Sequence, residues 1–246
     1  MRLTNRENEN AEAAIHEGHR ERLKKRFLSE GIDHFDPHLI LELVLFYAIP
    51  RKDTNPIAHR LMDYYNGSLA KVFDAPIEEL EKIKGVTENA AILIKMFPEV
   101  CRRYLIDTME TGTIVKTSQD AAKRLIPMYI GKTTEVVSMM CIDGKGKVIF
   151  CNPVFEGTAN AAAVSVRRFV EIAVRYATTD VILAHNHPGG VAIPSDQDIL
   201  VTKKIAEALK TVNIALLDHL IIAGYDWVSL AATPTVSDLF PRRYEI

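Results

Sequence analysis

One segment of the chain combines an apolar strand pattern, two histidines, a glycine-containing loop and the start of a helix. The run Asp180 to Ala184 is rich in Val, Ile and Leu and favours a short buried strand. The run His185 to His187 follows directly, and on a continuing strand both of its imidazoles point to the same side. Proline and glycine at 188–190 end the strand, and a helix pattern begins at Ser195. The chain is therefore constrained here to a strand, a tight loop and a helix.

Three side chains of this segment are typical ligands of a divalent metal ion. His185 and His187 supply two imidazoles, and Asp198 supplies a carboxylate in the first turn of the helix, after the N-cap Ser195. Two imidazoles and one carboxylate leave a fourth tetrahedral position for water, as in catalytic zinc sites. The sequence therefore predicts one Zn²⁺ per chain, held by His185, His187 and Asp198.

Each of these residues also has a structural explanation. A single buried histidine is commonly a hydrogen-bonded core residue, and the pattern Ser-x-x-Asp is commonly a helix cap. Neither explanation accounts for two neighbouring histidines at the end of an apolar strand together with the loop that follows. The metal site is therefore the preferred interpretation.

The spacing of these residues resembles a known signature. His-x-His, then seven residues, Ser, two residues and Asp is similar to the JAMM (MPN-type) metallopeptidase motif, and the longer run resembles the bacterial RadC family. The segment Asp218 to Ile222 is similar to the one that follows the motif in RadC proteins, which commonly carry Ser in place of Gly189. The resemblance implies a zinc-dependent hydrolase, a metallopeptidase or isopeptidase, with a mixed-sheet domain related to the cytidine deaminase fold.

The resemblance also implies two catalytic residues. A glutamate upstream of the motif acts as general base on a water whose pKa zinc lowers to near 7, and Glu135 matches the layout of the family. Glu156 and Glu171 are the competing candidates for this role. The Ser195 hydroxyl is expected to cap the helix and to donate to the substrate oxyanion as well.

Several related zinc and nuclease classes are excluded by spacing. HNH nucleases place their histidines far apart, and the His-Glu-x-x-His motif of thermolysin-like enzymes is absent. Zinc deaminases need His-x-Glu and Pro-Cys-x-x-Cys, whereas the cysteines of this chain stand alone at Cys101, Cys141 and Cys151. Scattered cysteines also give no disulfide framework.

Composition is that of an ordinary globular protein. The chain of 246 residues is 48% hydrophobic and 25% charged with a net charge of −2, and its length allows one large or two modest domains. No signal-peptide pattern and no run of 18 apolar residues is found. The sequence therefore predicts a cytoplasmic protein without a membrane partner.

The chain divides at a polar, unpatterned stretch after residue 107. Residues 1–107 have helical patterns, whereas helix and strand patterns alternate over 118–246. The sequence thus predicts an α/β protein in which an all-helical domain precedes a mixed-sheet JAMM domain. In the strand pattern that contains them, Asp218 and His219 fall on opposite faces, so we expect His219 to be a hydrogen-bonded structural residue and not part of a second metal site.

The helical domain contains a candidate DNA-binding unit. Two helix patterns joined by Lys84-Gly85-Val86 resemble the helix-hairpin-helix of RadC proteins, although Thr87 replaces the second glycine and weakens a phosphate-binding turn. A hairpin used only for packing fits equally well. The basic run Arg20 to Arg26 is either a phosphate-contacting face or a solvated helix side. Two functions follow: a hydrolase acting on an unidentified peptide or protein substrate, and, as the alternative, a DNA-associated accessory (repair-type) protein.

Overall fold

The computed structural model describes residues 5–109, 112–157 and 165–241. Contacts divide the chain into two compact units, residues 1–100 and 101–246. The sequence predicts a boundary after Asp107, whereas this division falls inside the last helix of the helical region. The outer ends of both predicted domains, residues 1–4 and 242–246, lie outside the described residues. Within the described ranges, no helix is both long and apolar enough to cross a bilayer.

The described part of residues 5–100 is built from helices. They are α1 (Asn5–Glu30), α2 (Pro37–Ala48), α3 (Asn55–Tyr64), α4 (Leu69–Asp74), α5 (Ile77–Leu80) and α6 (Glu88–Asp107). Local sequence explains their starts, since proline occupies the first turn of α2 and of α3, and Ser68 caps α4 by accepting from Lys71 N. Leucines and isoleucines from α2 to α6 form the core, with Leu41, Leu45, Leu61, Leu80 and Ile94 fully buried.

The turn between α5 and α6 is packed against α3. Gly85 has φ +100, and a Cβ there would come within 2.9 Å of Ile57 Cγ1, so glycine is required. Arg60 Nε donates to Lys84 O at 2.9 Å, and Thr87 Oγ1 accepts from Ala90 N at the start of α6. The short helix, the glycine turn and the capped helix follow the sequence pattern, and the turn serves packing within the helical unit.

The second unit is a five-stranded mixed sheet with helices on both faces. Its strands are β1 (Val136–Ile142), β2 (Val148–Glu156), β3 (Asp180–Asn186), β4 (Ala215–Ala223) and β5 (Asp226–Ser229), in the order β2-β1-β3-β4-β5. Only β3 and β4 are parallel, and helix α9 (Asp196–Lys210) connects them. The α/β class and the mixed sheet predicted from the sequence are confirmed, whereas the relation to the deaminase fold stays a prediction.

Each face of the sheet has its own hydrophobic layer. Helices α8 (Val166–Arg175) and α9 cover the face that carries Val137, Met139 and Leu183. Helix α7 (Ser118–Leu125) covers the opposite face, where Met140, Ile182 and Leu220 lie. The sequence predicts that α7 continues to Met128, but Pro127 converts its last turn to a 3-10 helix over Ile126–Tyr129.

Candidate metal centre

The strand, loop and helix expected from the sequence are present. Strand β3 ends at Asn186, and His187 N still donates to Ile222 O of β4 at 2.8 Å, so the histidine pair sits at the carboxyl end of a parallel pair of strands. Ser195 is the N-cap of α9, and Asp198 is its third helical residue. Ligands commonly bind at such strand ends in open α/β sheets.

A tight turn redirects the chain after the histidines. Gly190 N donates to His187 O at 3.2 Å, which closes a four-residue turn with Pro188 at its second position. Gly189, at the third position, has φ +66, which glycine adopts without strain. The position where RadC proteins commonly carry serine is therefore one where glycine fits the backbone well.

The three predicted metal ligands converge. His185 Nε2 lies 2.9 Å from His187 Nε2 and 3.2 Å from Asp198 Oδ1, and His187 Nε2 lies 3.6 Å from Asp198 Oδ2. Ligand atoms about 2.0–2.1 Å from a tetrahedral zinc ion are about 3.3 Å apart. The observed distances between the three side chains are close to this value, and one ligand atom from each residue lies within 4.8 Å of the other two.

The donor atoms also have the right chemistry for a cation. His187 Nδ1 lies 3.1 Å from Val191 O, and a carbonyl oxygen only accepts, so Nδ1 carries a proton and donates it there. In the neutral form of the ring, His187 Nε2 then presents a lone pair toward His185 Nε2 and the Asp198 carboxylate. One lone pair and one carboxylate directed at the same point form a site for a positive ion.

Asp198 is held by the helix cap as well as by the histidines. Ser195 N and Ser195 Oγ donate to its Oδ2 at 2.7 and 2.6 Å, and Asp198 N donates back to Ser195 Oγ at 3.2 Å. Burial by itself raises the pKa of Asp198, but the hydrogen bond and charge of His185, with the Ser195 hydrogen bonds, outweigh it and hold that pKa well below its usual value. Asp198 is thus held as a carboxylate.

These contacts change the interpretation of Ser195. The sequence predicts that its hydroxyl accepts from the helix while its proton points toward a substrate. In the structure Oγ does accept from Asp198 N, but its proton is donated to Asp198 Oδ2. The hydroxyl therefore orients the carboxylate of a candidate metal ligand, because a charged oxygen is a strong acceptor.

Glu135 lies on the same face of the sheet as the histidines. Val137 pairs with His185 across β1 and β3, and paired residues project from one face. Side chains alternate along each strand, so Glu135 shares the face of Val137, and His187 shares the face of His185. Strand β1 begins at Val136, which places Glu135 directly before it.

The Asn186 side chain holds the backbone on both sides of Glu135. Its Oδ1 accepts from Val136 N at 2.7 Å, and its Nδ2 donates to Thr134 O at 3.0 Å. Asn186 is buried, with 4% of its surface exposed, so these bonds are shielded from water. The Asn186 side chain thus attaches the backbone around Glu135 to the end of β3, where backbone pairing between the strands stops.

The competing glutamates are placed elsewhere. Glu156 pairs with Val136 and so lies on the other face of the sheet, where Lys132 Nζ approaches it to 2.9 Å. Lys132 and the hydrogen bond from Thr134 hold the pKa of Glu156 below its usual value. Glu171 is exposed on α8 and paired with Arg167 at 2.7 Å. Of the three candidates, only Glu135 faces the histidine side at the site end of the sheet.

Asp218 and His219 point to opposite faces, as the strand alternation predicts. Asp218 accepts from Ser118 Oγ at 2.6 Å and from Ser229 Oγ at 2.7 Å. The His219 ring lies instead on the metal-site face, with Nε2 2.9 Å from His185 Nδ1 and Nδ1 2.6 Å from Thr202 Oγ1. The pKa of His219 is held well below its usual value, mainly by burial and also by the positive charge of His185. Reasoning from the sequence missed Thr202, although it stands one helical turn after Asp198.

Residues considered for DNA contact are engaged within the chain. Arg20 donates to Phe46 O and Ile49 O at the end of α2. Arg26 donates to Glu30 and to His34 O, and Lys24 is paired with Glu21. Much of the basic run thus stabilises the helical unit.

The fold and the donor set define a class of protein: an α/β domain of the JAB type whose strand, loop and helix segment presents two histidines and an aspartate. A sequence profile described as the RadC-like JAB domain matches residues 115–235. The chain is also 31% identical over 220 residues to the UPF0758 protein FN0909 of Fusobacterium nucleatum, covering 87% of this chain and 94% of that protein. The chain belongs to the bacterial RadC family.

Proposed function

We propose that this protein is a zinc-dependent hydrolase that cleaves peptide or isopeptide bonds. The observation that carries the proposal is the convergence of three side chains: His185 Nε2 lies 2.9 Å from His187 Nε2 and 3.2 Å from Asp198 Oδ1, and His187 Nε2 lies 3.6 Å from Asp198 Oδ2. Membership of the RadC family and the match to a JAB domain support it. In JAMM proteins, which this motif resembles, such a site belongs to a metallopeptidase.

The chain would hold zinc with three protein ligands and leave one coordination position for chemistry. When bound, zinc supplies a water of lowered pKa and polarises the carbonyl of the substrate. Glu135 accepts a proton from this water and delivers it to the leaving nitrogen, so one carboxylate serves as general base and then as general acid. The Asn186 amide keeps Glu135 at the entrance of β1 during both transfers.

Ser195 has two roles in this proposal. Before reaction its hydroxyl donates to Asp198 Oδ2, which orients the carboxylate. With zinc bound, Asp198 would share its negative charge with the ion, and the Ser195 hydroxyl would be able to donate to the carbonyl oxygen of the substrate instead. Removing a donor of this kind typically lowers kcat by about a hundredfold or more.

Substitution of the proposed general base tests this function. Glu135→Gln keeps the size of the side chain but removes the basic oxygen, so hydrolysis should fall by about 10²- to 10⁴-fold while the zinc content stays near that of the wild-type protein. Cleavage would be measured on a peptide and isopeptide library, and zinc by atomic absorption.

Glu156→Gln is the matched control, because Glu156 lies on the opposite face of the sheet and is paired with Lys132. This variant should retain activity. Full activity of Glu135→Gln would move the general base elsewhere, and a zinc-loaded wild-type protein that cleaves no member of the library would contradict the proposed function.

A further inference from the structure

We infer that Thr202 and His219 are positioning residues that fix the tautomer of His185, so that its Nε2 atom is the one that faces the metal ion. The inference rests on the metal site of the proposed function, but its test does not depend on hydrolysis. A line of hydrogen bonds carries it, from helix α9 through strand β4 to strand β3.

The line begins inside α9. Thr202 Oγ1 lies 2.5 Å from Asp198 O, the carbonyl one helical turn earlier. A carbonyl oxygen has no proton, so the hydroxyl donates its single proton there. The same hydroxyl oxygen lies 2.6 Å from His219 Nδ1. Because its proton is already donated, the hydroxyl accepts in this second bond, and His219 Nδ1 carries the proton.

The His219 ring continues the line to β3. It is 3% exposed, burial disfavours its charged form, and a neutral imidazole has one ring proton. With that proton on Nδ1, the Nε2 atom of His219 is bare and accepts. His185 Nδ1 lies 2.9 Å from this atom and must donate to it. In the neutral form of the ring, which metal binding requires, His185 Nε2 is then left with a free lone pair.

The line matters because both histidine ligands need the same tautomer. The tautomer of His187 is fixed by a backbone carbonyl. The tautomer of His185 is fixed by His219, whose own tautomer depends on the Thr202 hydroxyl. Hydrogen bonds to the second nitrogen of a ligand histidine commonly fix its orientation and raise its basicity. Here the same hydroxyl also contacts the backbone of Asp198, so it connects two of the three ligands.

A pair of substitutions at Thr202 tests the inference. Thr202→Val keeps the shape of the side chain but removes the hydroxyl, which leaves the proton on His219 Nδ1 without an acceptor. His219 then favours the other tautomer and forces His185 Nε2 to carry a proton. The dissociation constant for zinc, measured by competition with a chromophoric chelator, should rise about 10- to 100-fold. Thr202→Ser keeps the hydroxyl and should bind zinc like the wild-type protein.

Long-range ¹H–¹⁵N spectra of the wild-type protein give a second measurement that needs no variant. We expect the shift of a protonated nitrogen at His219 Nδ1 and of a bare nitrogen at His219 Nε2. Zinc affinity of Thr202→Val equal to the wild-type value, or a proton found on His219 Nε2, would overturn the inference. A wild-type protein that binds no zinc would contradict the proposed function instead, and the spectra would still test the tautomer.

Discussion

At the scale of single residues, Asp198 is the point where the helix cap and the metal site meet. Its Oδ2 accepts from Ser195 N and Oγ, while its Oδ1 approaches His185 Nε2 to 3.2 Å. A carboxylate with these contacts is ordered before any ion arrives, which lowers the entropic cost of binding one. The same residue thus completes the helix cap and offers a candidate ligand.

Asp198→Ala should therefore lose most of the bound zinc, because two imidazoles alone make an incomplete site. Metal content after dialysis, measured by plasma mass spectrometry, would check this. Asp196→Ala is the matched control, since Asp196 is an exposed aspartate in the same helical turn. Full zinc in Asp198→Ala would show that this carboxylate is not a ligand.

The sequence predicts residue types well but not where protons lie. Spacing was sufficient to select two histidines and an aspartate, because a strand end and a first helical turn are local features. The direction of the Ser195 proton depends on an acceptor whose position is set by folding. The hydrogen-bond partners of His219 lie in β3 and α9, and the alternation of residues along β4 does not identify them.

At the scale of elements, the pairing of β1 with β3 places the proposed general base. Val137 faces His185 in the antiparallel register, and the Asn186 amide extends that register past the end of the strand. A shift of one residue would turn Glu135 to the opposite face. Sequence alone left three glutamates open, and the register distinguishes them.

The start of helix α7 is stabilised by the negative charge of Asp120. Asp120 Oδ2 accepts from Lys116 N and Thr117 N, each at 3.2 Å, and Thr117 Oγ1 accepts from Asp120 N in return. The backbone hydrogen bond from Lys116 outweighs slight burial, and with the contacts of Thr117 it holds the pKa of Asp120 below its usual value. The cap is therefore strongest when this carboxyl is ionised.

A pH dependence follows for Asp120→Asn. A pKa that is lower in the folded state means that the ionised carboxyl stabilises the fold above its unfolded pKa of about 4 and loses that effect as the pH falls through the folded pKa. The variant should be less stable than the wild-type protein at pH 7, and the difference should shrink toward pH 3. Urea unfolding at both values measures it, with the exposed Asp226→Asn as control. A difference that is independent of pH would contradict this account.

At the scale of the whole molecule, the chain divides into two compact units. The described part of residues 1–100 is a helical unit with its own core, and several of its basic side chains are hydrogen-bonded within it. Residues 101–246 carry the sheet and the candidate metal centre. The candidate ligands lie in β3, directly after it and in α9, all in the second unit. The free energy of metal binding would therefore stabilise that unit.

Removal of zinc should accordingly destabilise the second unit alone. At free zinc 100 times above the dissociation constant, binding stabilises a folded unit by about 2.7 kcal/mol. Hydrogen exchange with and without a chelator should show faster exchange in β3, β4 and α9 after zinc removal and unchanged exchange in α2 and α3. Equal effects in both units, or none in β3, would contradict a metal centre confined to the second unit.

The sequence by itself determined the family, the α/β class, the helical region before the sheet and the set of candidate ligands. These features follow from hydrophobic periodicity and from short distances along the sequence, and local backbone geometry alone fixes the structure of such segments. Only the tertiary structure decided which glutamate shares the histidine face, where the Ser195 proton is donated and how His219 contacts His185. Those contacts join residues far apart in the chain, and their geometry depends on strand register and helix packing, which no local pattern encodes.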